Sequence, residues 1–240
     1  MVRKLAYSVS EREHWVSSAG GLVGILAVLW VSHFWLGGHG GVLAIASMGA
    51  SAVLLFAAPH GALSQPWPVF GGHLVSALIG VTCVRWLGGE PMLAAALAVA
   101  LSIAGMYSLR CLHPPGGATA LYAVLGGETV HALGYGYLFS PVLLNVVVLL
   151  AVAVAFNYPF AWRRYPQAWH RRSDTAPKAV EESMIPHSNL VYALSQIDTF
   201  VDVSEEDLQR IYALALGQPH PAGQQAQPAT KGAPAAEAAR

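Results

Sequence analysis

The stretch Arg110-Cys111-Leu112-His113-Pro114-Pro115-Gly116-Gly117-Ala118-Thr119-Ala120-Leu121 sets a charge, an imidazole and two helix breakers between segments apolar enough to cross a bilayer. Pro114 and Pro115 supply no backbone N–H and push the residue before each out of the helical region. A helix arriving through Met106 and Leu109 therefore ends before His113, and a new one opens after it. Prolines at a helix opening leave the following amides, Gly116 to Thr119, unpaired and pointing along the axis, the geometry that attracts an anion. The Thr119 hydroxyl adds a donor. The His113 imidazole can donate to a small anion when neutral and neutralise it when protonated. The competing reading is that the prolines and glycines only kink the chain and let helices pack closely.

Outward from this stretch the chain is a membrane protein in composition. Hydrophobic residues make up 55% of the 240 positions and charged residues 11%, with a mean hydropathy of +0.47; soluble domains carry about 25% charge. Val16 to Leu36, Gly40 to Ala58, Val69 to Gly88, Pro91 to Leu109 and Leu138 to Phe156 each approach the ~20 residues a helix needs to cross ~30 Å of hydrocarbon. Gly116 to Leu125 rises only ~15 Å, so it is re-entrant or half of a broken span. The fold expected is an all-α polytopic bundle of four to six membrane segments with two Gly-opened short or broken helices. The membrane domain runs from 16 to 160.

An internal echo supports that plan. Gly49-Ala50-Ser51-Ala52-Val53-Leu54 aligns with Gly117-Ala118-Thr119-Ala120-Leu121-Tyr122 at an offset of 68, which also lays Val69 to Gly88 over Tyr137 to Phe156. Each half then reads as a long helix, a Gly-opened short helix and another long helix, as in transporters built from repeats. Facing openings near the midplane would converge their amides, and the hydroxyls of Ser51 and Thr119, on one bound anion. Gly49, Ala50 and Ser51 form one side of this expected site; His113, Gly116, Gly117 and Thr119 form the other. Arg163, Arg164, Arg171 and Arg172 beyond the last span mark a cytoplasmic side, and nothing before the first span reads as a removable signal peptide. Both ends are then inside and the crossings even in number. Six crossings give inverted repeats, the arrangement favoured here, and four give parallel ones.

Three further polar residues are accessory candidates. Arg110 can hold the entrance positive, Gln65 can donate to a ligand from a rigid Gln-Pro-Trp-Pro loop, and His73 follows Gly71-Gly72 inside a span, where an interhelical hydrogen bond is the competing role. Gly20 and Gly24 form a GxxxG pair suited to a dimer face. Cys83 and Cys111 give no disulfide or metal motif. Beyond the spans, 161–187 reads as a basic juxtamembrane linker, 188–217 as a cytoplasmic amphipathic hairpin and 218–240 as a disordered tail; residues 1–15 form a cytoplasmic lead. The partners expected are a small anion, the lipid bilayer and a second copy of the chain, with no nucleic acid, metal or cofactor.

Gly49 to Phe56, Gln65-Pro66, Gly71 to Leu74 and His113 to Leu121 together resemble the HPP family of integral membrane proteins, named for the His-Pro-Pro found here at 113–115. The resemblance covers roughly Val16 to Phe160 and implies four membrane spans. Plant-plastid and cyanobacterial members are associated with nitrite transport, so it also implies a small-anion transporter or channel in the cytoplasmic membrane. Some bacterial relatives carry CBS domains after the membrane part; Asn189 to Leu216 resembles their connecting helices, and no CBS pair follows, so adenine-nucleotide regulation is not expected. The alternatives are a non-transporting scaffold or sensor acting through the C-terminal helices, and an intramembrane enzyme using His113. No adjacent carboxylate, nucleophile or metal cluster in the sequence supports the enzyme.

Overall fold

Proline sets where the helices begin. In the computed structural model, which describes residues 11–40 and 45–169, α3 (Pro66–Leu87), α4 (Pro91–Ser108) and α5 (Pro114–Leu125) all start on a proline, the residue whose fixed φ suits the first helical position and whose missing N–H costs nothing there. They follow α1 (Glu11–Gly40) and α2 (Ile45–Ala57). They precede the short α6 (Glu128–Leu133) and then α7 (Leu144–Asn157), which is led in by a segment, Leu138–Leu143, kinked at Ser140, where the backbone is extended. Among the described residues all regular structure is helical, as an all-α membrane bundle requires. Four stretches, Glu11–Trp35, Pro66–Leu87, Pro91–Ser108 and Leu138–Asn157, are long and apolar enough to cross a membrane. The 188–217 hairpin, the 218–240 tail, the linker from 170 onward and the first ten residues lie outside the described residues.

Side-chain contacts give the direction of each helix. α1 and α7 are antiparallel: Arg163, just past α7, reaches Glu13 at the start of α1, while Ser32 further along α1 donates to Asn145 in the first turn of α7 at 2.6 Å. α2 returns to the Glu13 end, because the carbonyls of Leu55 and Phe56 in its last turn accept from Asn157 and Arg163. α3 leaves that end, and α4 comes back to it, where Leu109 accepts from the Trp67 indole at 3.1 Å. α5 then runs parallel to α3. A Cβ on Gly116 would meet Gly72, and one on Gly80 would meet Ala120 and Ala123. At the opposite end Arg85 stacks on Tyr135 before α7 returns.

Among the described residues the chain thus runs between the two ends six times, although α2 and α5, with 13 and 12 residues, rise only about 20 and 18 Å. The halves α1–α2–α3 and α4–α5–α7 run in opposite directions and pack alike. α1 lies on α2 and α7, as α4 lies on α5 and α3; α2 meets α5, and α3 meets α7. This is the arrangement of an inverted repeat, with a short helix second in each half.

The Gly20–Gly24 pair is used within the chain, not at a dimer face. A Cβ at Gly20 would stand 2.5 Å from the Phe56 ring and one at Gly24 2.6 Å from the same ring. With Val28 and Ser32 these glycines form the one buried stripe of α1.

The bundle also extends past residue 160. Arg163 is 1% exposed: its guanidinium donates to Glu13 Oε1 at 2.6 Å, Ser17 Oγ at 3.0 Å, Asn157 Oδ1 at 3.0 and 3.1 Å, and the Phe56 carbonyl. Burial lowers its pKa from the ordinary arginine value, and the Glu13 carboxylate pulls it back up. Tyr165 donates to the Ser64 carbonyl at 2.8 Å. Arg163, Tyr165 and Pro166 are therefore buried within the bundle while Ala161, Trp162, Ala168 and Trp169 are exposed, and Arg163 is committed to an internal ion pair rather than to a basic surface cluster.

A buried histidine and hydroxyl cluster as the candidate functional site

Three small residues let α3 and α5 approach closely enough to trap polar groups between them and α2. Gly72, Ser76 and Gly80 recur every fourth residue on α3, and Gly116, Ala120 and Ala123 face them from α5. A Cβ on Gly116 would lie 2.7 Å from the Gly72 carbonyl, and one on Gly72 would lie 2.6 Å from His113 Cβ. Side chains of this size are what bring membrane helices into backbone contact. Just before α5, His113 has extended backbone angles, as a residue preceding proline prefers, and this turns its ring inward.

Four polar side chains meet at this seam, and each has no exposed surface: Ser51 of α2, His73 of α3, His113 just before α5 and Thr119 within it. Ser51 Oγ stands 2.8 Å from Nε2 of both His73 and His113. His73 Nδ1 is 2.7 Å from Thr119 Oγ1, and His113 Nδ1 is 2.8 Å from the Leu63 carbonyl. The rings lie edge to face with centroids 5.0 Å apart. Tyr137 braces the far side by donating to the Thr119 carbonyl at 3.3 Å.

The proton positions follow from what each atom can do. The Leu63 carbonyl only accepts, so His113 Nδ1 carries a hydrogen and, in a neutral ring, Nε2 accepts from Ser51. The Ser51 oxygen then accepts from His73 Nε2–H, which leaves His73 Nδ1 to accept from the Thr119 hydroxyl. With both rings neutral every group is satisfied and the chain of hydrogen bonds points one way, from Thr119 to Leu63. A buried polar network of this kind is favourable only when it is complete.

The residues expected from sequence divide sharply. Ser51, Thr119 and His113 come together, and His73, expected only as an accessory, links two of them. Gly49 and Gly117 each lie two residues before the hydroxyl of their own half, about 200° round the helix from it. Neither has a neighbour within 4 Å of a would-be Cβ, and Ala50 is exposed. Gly116 belongs to the packing seam, and its N–H is taken by the His113 carbonyl at 2.8 Å. Gly49–Ser51 lie in the second turn of α2 rather than at its opening. The convergence is one of side chains, not of helix-end amides, because two prolines and a tightened turn use up the first donors of α5.

Arg110 and Gln65 stand apart from the cluster. Arg110 is exposed and adopts a left-handed φ of 53°. The bonds Cys111 N–H to Met106 O and Arg110 N–H to Tyr107 O close α4 in a Schellman motif. Gln65 braces the loop before α3: its amide donates to the carbonyls of Pro59 and Gly61, and its oxygen accepts from the Gln167 N–H. Sequence reasoning missed the Arg163–Glu13–Asn157 group altogether, the one local hint being an amide side chain at the end of the very apolar α7.

The fold and this site define a polytopic helical membrane protein with a buried, uncharged polar centre between inverted halves. The family described as HPP, transmembrane region, matches residues 6–166, and the chain belongs to that family. Similar proteins include two transmembrane proteins of Dictyostelium discoideum. One is 38% identical over 131 residues, covering 53% of this chain and 42% of the relative. The other is 38% identical over 128 residues, covering 52% of this chain and 45% of the relative. The match thus spans less than half the length of either. No solved structure matches the chain.

Proposed function

We propose that the protein is a transporter for a small monovalent anion such as nitrite, seated in a bacterial cytoplasmic membrane with both ends of the chain inside. The observation that carries this reading is the convergence of Ser51 and Thr119, equivalent positions of the two inverted halves, on two imidazoles in the bundle interior. Hydroxyls and imidazole N–H groups that now satisfy one another can turn onto an acceptor-only ligand. A multiply charged anion finds no fixed positive charge there. The zero exposure of all four side chains corresponds to an occluded form, which rocking of one half against the other opens to either side. The orientation rests on Arg12, Arg110 and Arg164 at the Glu13 end against Arg85 at the other.

The test is uptake into proteoliposomes with nitrite, formate and bicarbonate offered separately. Saturable uptake of at least one, at least tenfold lower in Ser51→Ala, is the expected result. Rates equal to protein-free liposomes for all three would end the transport reading. A second reading is favoured by one contact: Ser51 Oγ lies 2.8 Å from His113 Nε2, while His113 Nδ1 is oriented by a carbonyl, as a nucleophile and base would be arranged. Covalent capture of Ser51 by a fluorophosphonate would favour that intramembrane hydrolase instead.

A further inference from the structure

The charges among the described residues all sit at helix ends. α2, α5 and α7 carry no Asp, Glu, Lys or Arg, nor does α4; α3 has only Arg85, in its last turn. Arg110 is exposed, and Arg163 spends its charge on Glu13. An anion entering the Ser51 cluster therefore meets donors but no permanent countercharge, in a medium where a lone charge is costly. The imidazoles are the groups there that can become positive.

The hydrogen-bond geometry distinguishes the two rings. If His113 Nε2 gains a hydrogen, Ser51 must stop donating to it, and a second acceptor for the Ser51 hydroxyl is already in place: the Ser47 carbonyl at 3.1 Å. Ser51 Oγ then accepts from both Nε2–H groups and every partner stays satisfied. If His73 Nδ1 gains the hydrogen instead, Thr119 must turn to the Pro115 carbonyl at 3.5 Å, beyond the usual hydrogen-bond range. The groups facing His113 are Ser51 of α2, His73 of α3 with Gly72 beside it, and the Leu63 carbonyl; Cys111 is the nearest thiol in its own loop. The described contacts place no carboxylate against it.

Resting on the transport reading above, we propose that each anion is carried together with one proton, held on His113 Nε2, with the Ser51 hydroxyl switching from His113 to the Ser47 carbonyl as the proton binds. One N–H bond forms on loading and breaks on release, the proton leaves on the side to which the anion is released, and no net charge crosses the membrane.

The experiment uses the full chain in proteoliposomes at neutral pH with an internal pH dye and the membrane potential clamped by potassium and valinomycin. Nitrite is the probe, with protein-free liposomes subtracted to remove nitrous acid leak. One proton per nitrite, at a rate unaffected by the clamp, is the expected outcome. Nitrite flux that follows the clamped potential without acidification would overturn proton coupling and leave the transporter reading intact. No protein-dependent flux under any gradient would end both. His113→Gln keeps hydrogen-bonding capacity but cannot hold the proton, so its flux should fall at least tenfold or become potential-driven. Unchanged one-to-one coupling in that variant would remove His113 as the carrier, and the wild-type stoichiometry decides the coupling itself even if the variant does not fold.

Discussion

Two buried polar groups hold this bundle together in opposite ways. At the Glu13 end, Arg163 places its guanidinium hydrogens on fixed acceptors from α1, the last turn of α2 and the end of α7. Deeper in, Ser51, His73, His113 and Thr119 form a group without formal charge in which nearly every atom can both donate and accept. A guanidinium has no acceptor and keeps its proton, so it can only fix a geometry. Hydroxyls and imidazoles can reverse, so their contacts allow a change of state. The charged group sits where the last carbonyls of α2, left without helical partners, accept from Asn157 and Arg163 and lower its cost; the reversible group is buried with no fixed charge beside it among the described residues.

The contrast predicts different failures. The largest loss should come from Arg163→Met, which removes the cation beside the Glu13 carboxylate and leaves the Asn157 amide oxygen and the Phe56 carbonyl without their donor. We expect about 3–5 kcal/mol, read as a drop in thermal unfolding temperature in detergent, with Glu13→Gln losing less because the amide oxygen still accepts from Arg163, although its NH2 group cannot replace the carboxylate oxygen that accepts from the Trp162 indole. Next, Gly72→Val should cost about 1–3 kcal/mol through overpacking and should abolish flux as well, since the added carbons displace His113. A variant with normal flux would show that the seam does not position the ring.

Ser51→Ala should cost a similar or smaller amount, about 1–3 kcal/mol, by leaving His73 without an acceptor and His113 without a donor. Its defect should be mainly in transport, the reverse of the Arg163 pattern. Thr119→Val, which deletes one hydroxyl at nearly constant volume, should weaken apparent anion affinity by about 1 kcal/mol, measured as the half-saturating concentration. The smallest effect runs the other way. Arg110→Gly relieves a left-handed backbone and should stabilise the fold by about 0.4–1 kcal/mol with flux unchanged; reduced flux would show that the Arg110 charge acts at an entrance.

The four long spans, the helix openings at Pro91 and Pro114 and the stop before His113 were legible in the chain because apolar runs and proline act locally, within a few residues; the start of α3 was not, since Gln65-Pro66-Trp67-Pro68 read as a rigid loop ahead of a span from Val69, and the helix opens on Pro66 instead. The echo between Gly49–Leu54 and Gly117–Tyr122 likewise pointed to paired short helices and to Ser51 and Thr119. What those residues meet was not legible. The glycines beside each hydroxyl looked like a backbone cradle, yet helical rotation turns Gly49 and Gly117 away, and only the close approach of α3 decides that Gly116 is a packing contact. His73 lies 22 residues from Ser51 and 46 from Thr119, and Glu13 lies 150 from Arg163. Pairings at such separations carry no local signal, because they depend on which helix faces turn inward once the whole bundle has packed. Composition and periodicity were therefore enough for a helical membrane bundle with paired short helices; that its halves are inverted, the identity of its polar centre, and the difference between a locking arginine and a reversible histidine pair came from tertiary contact.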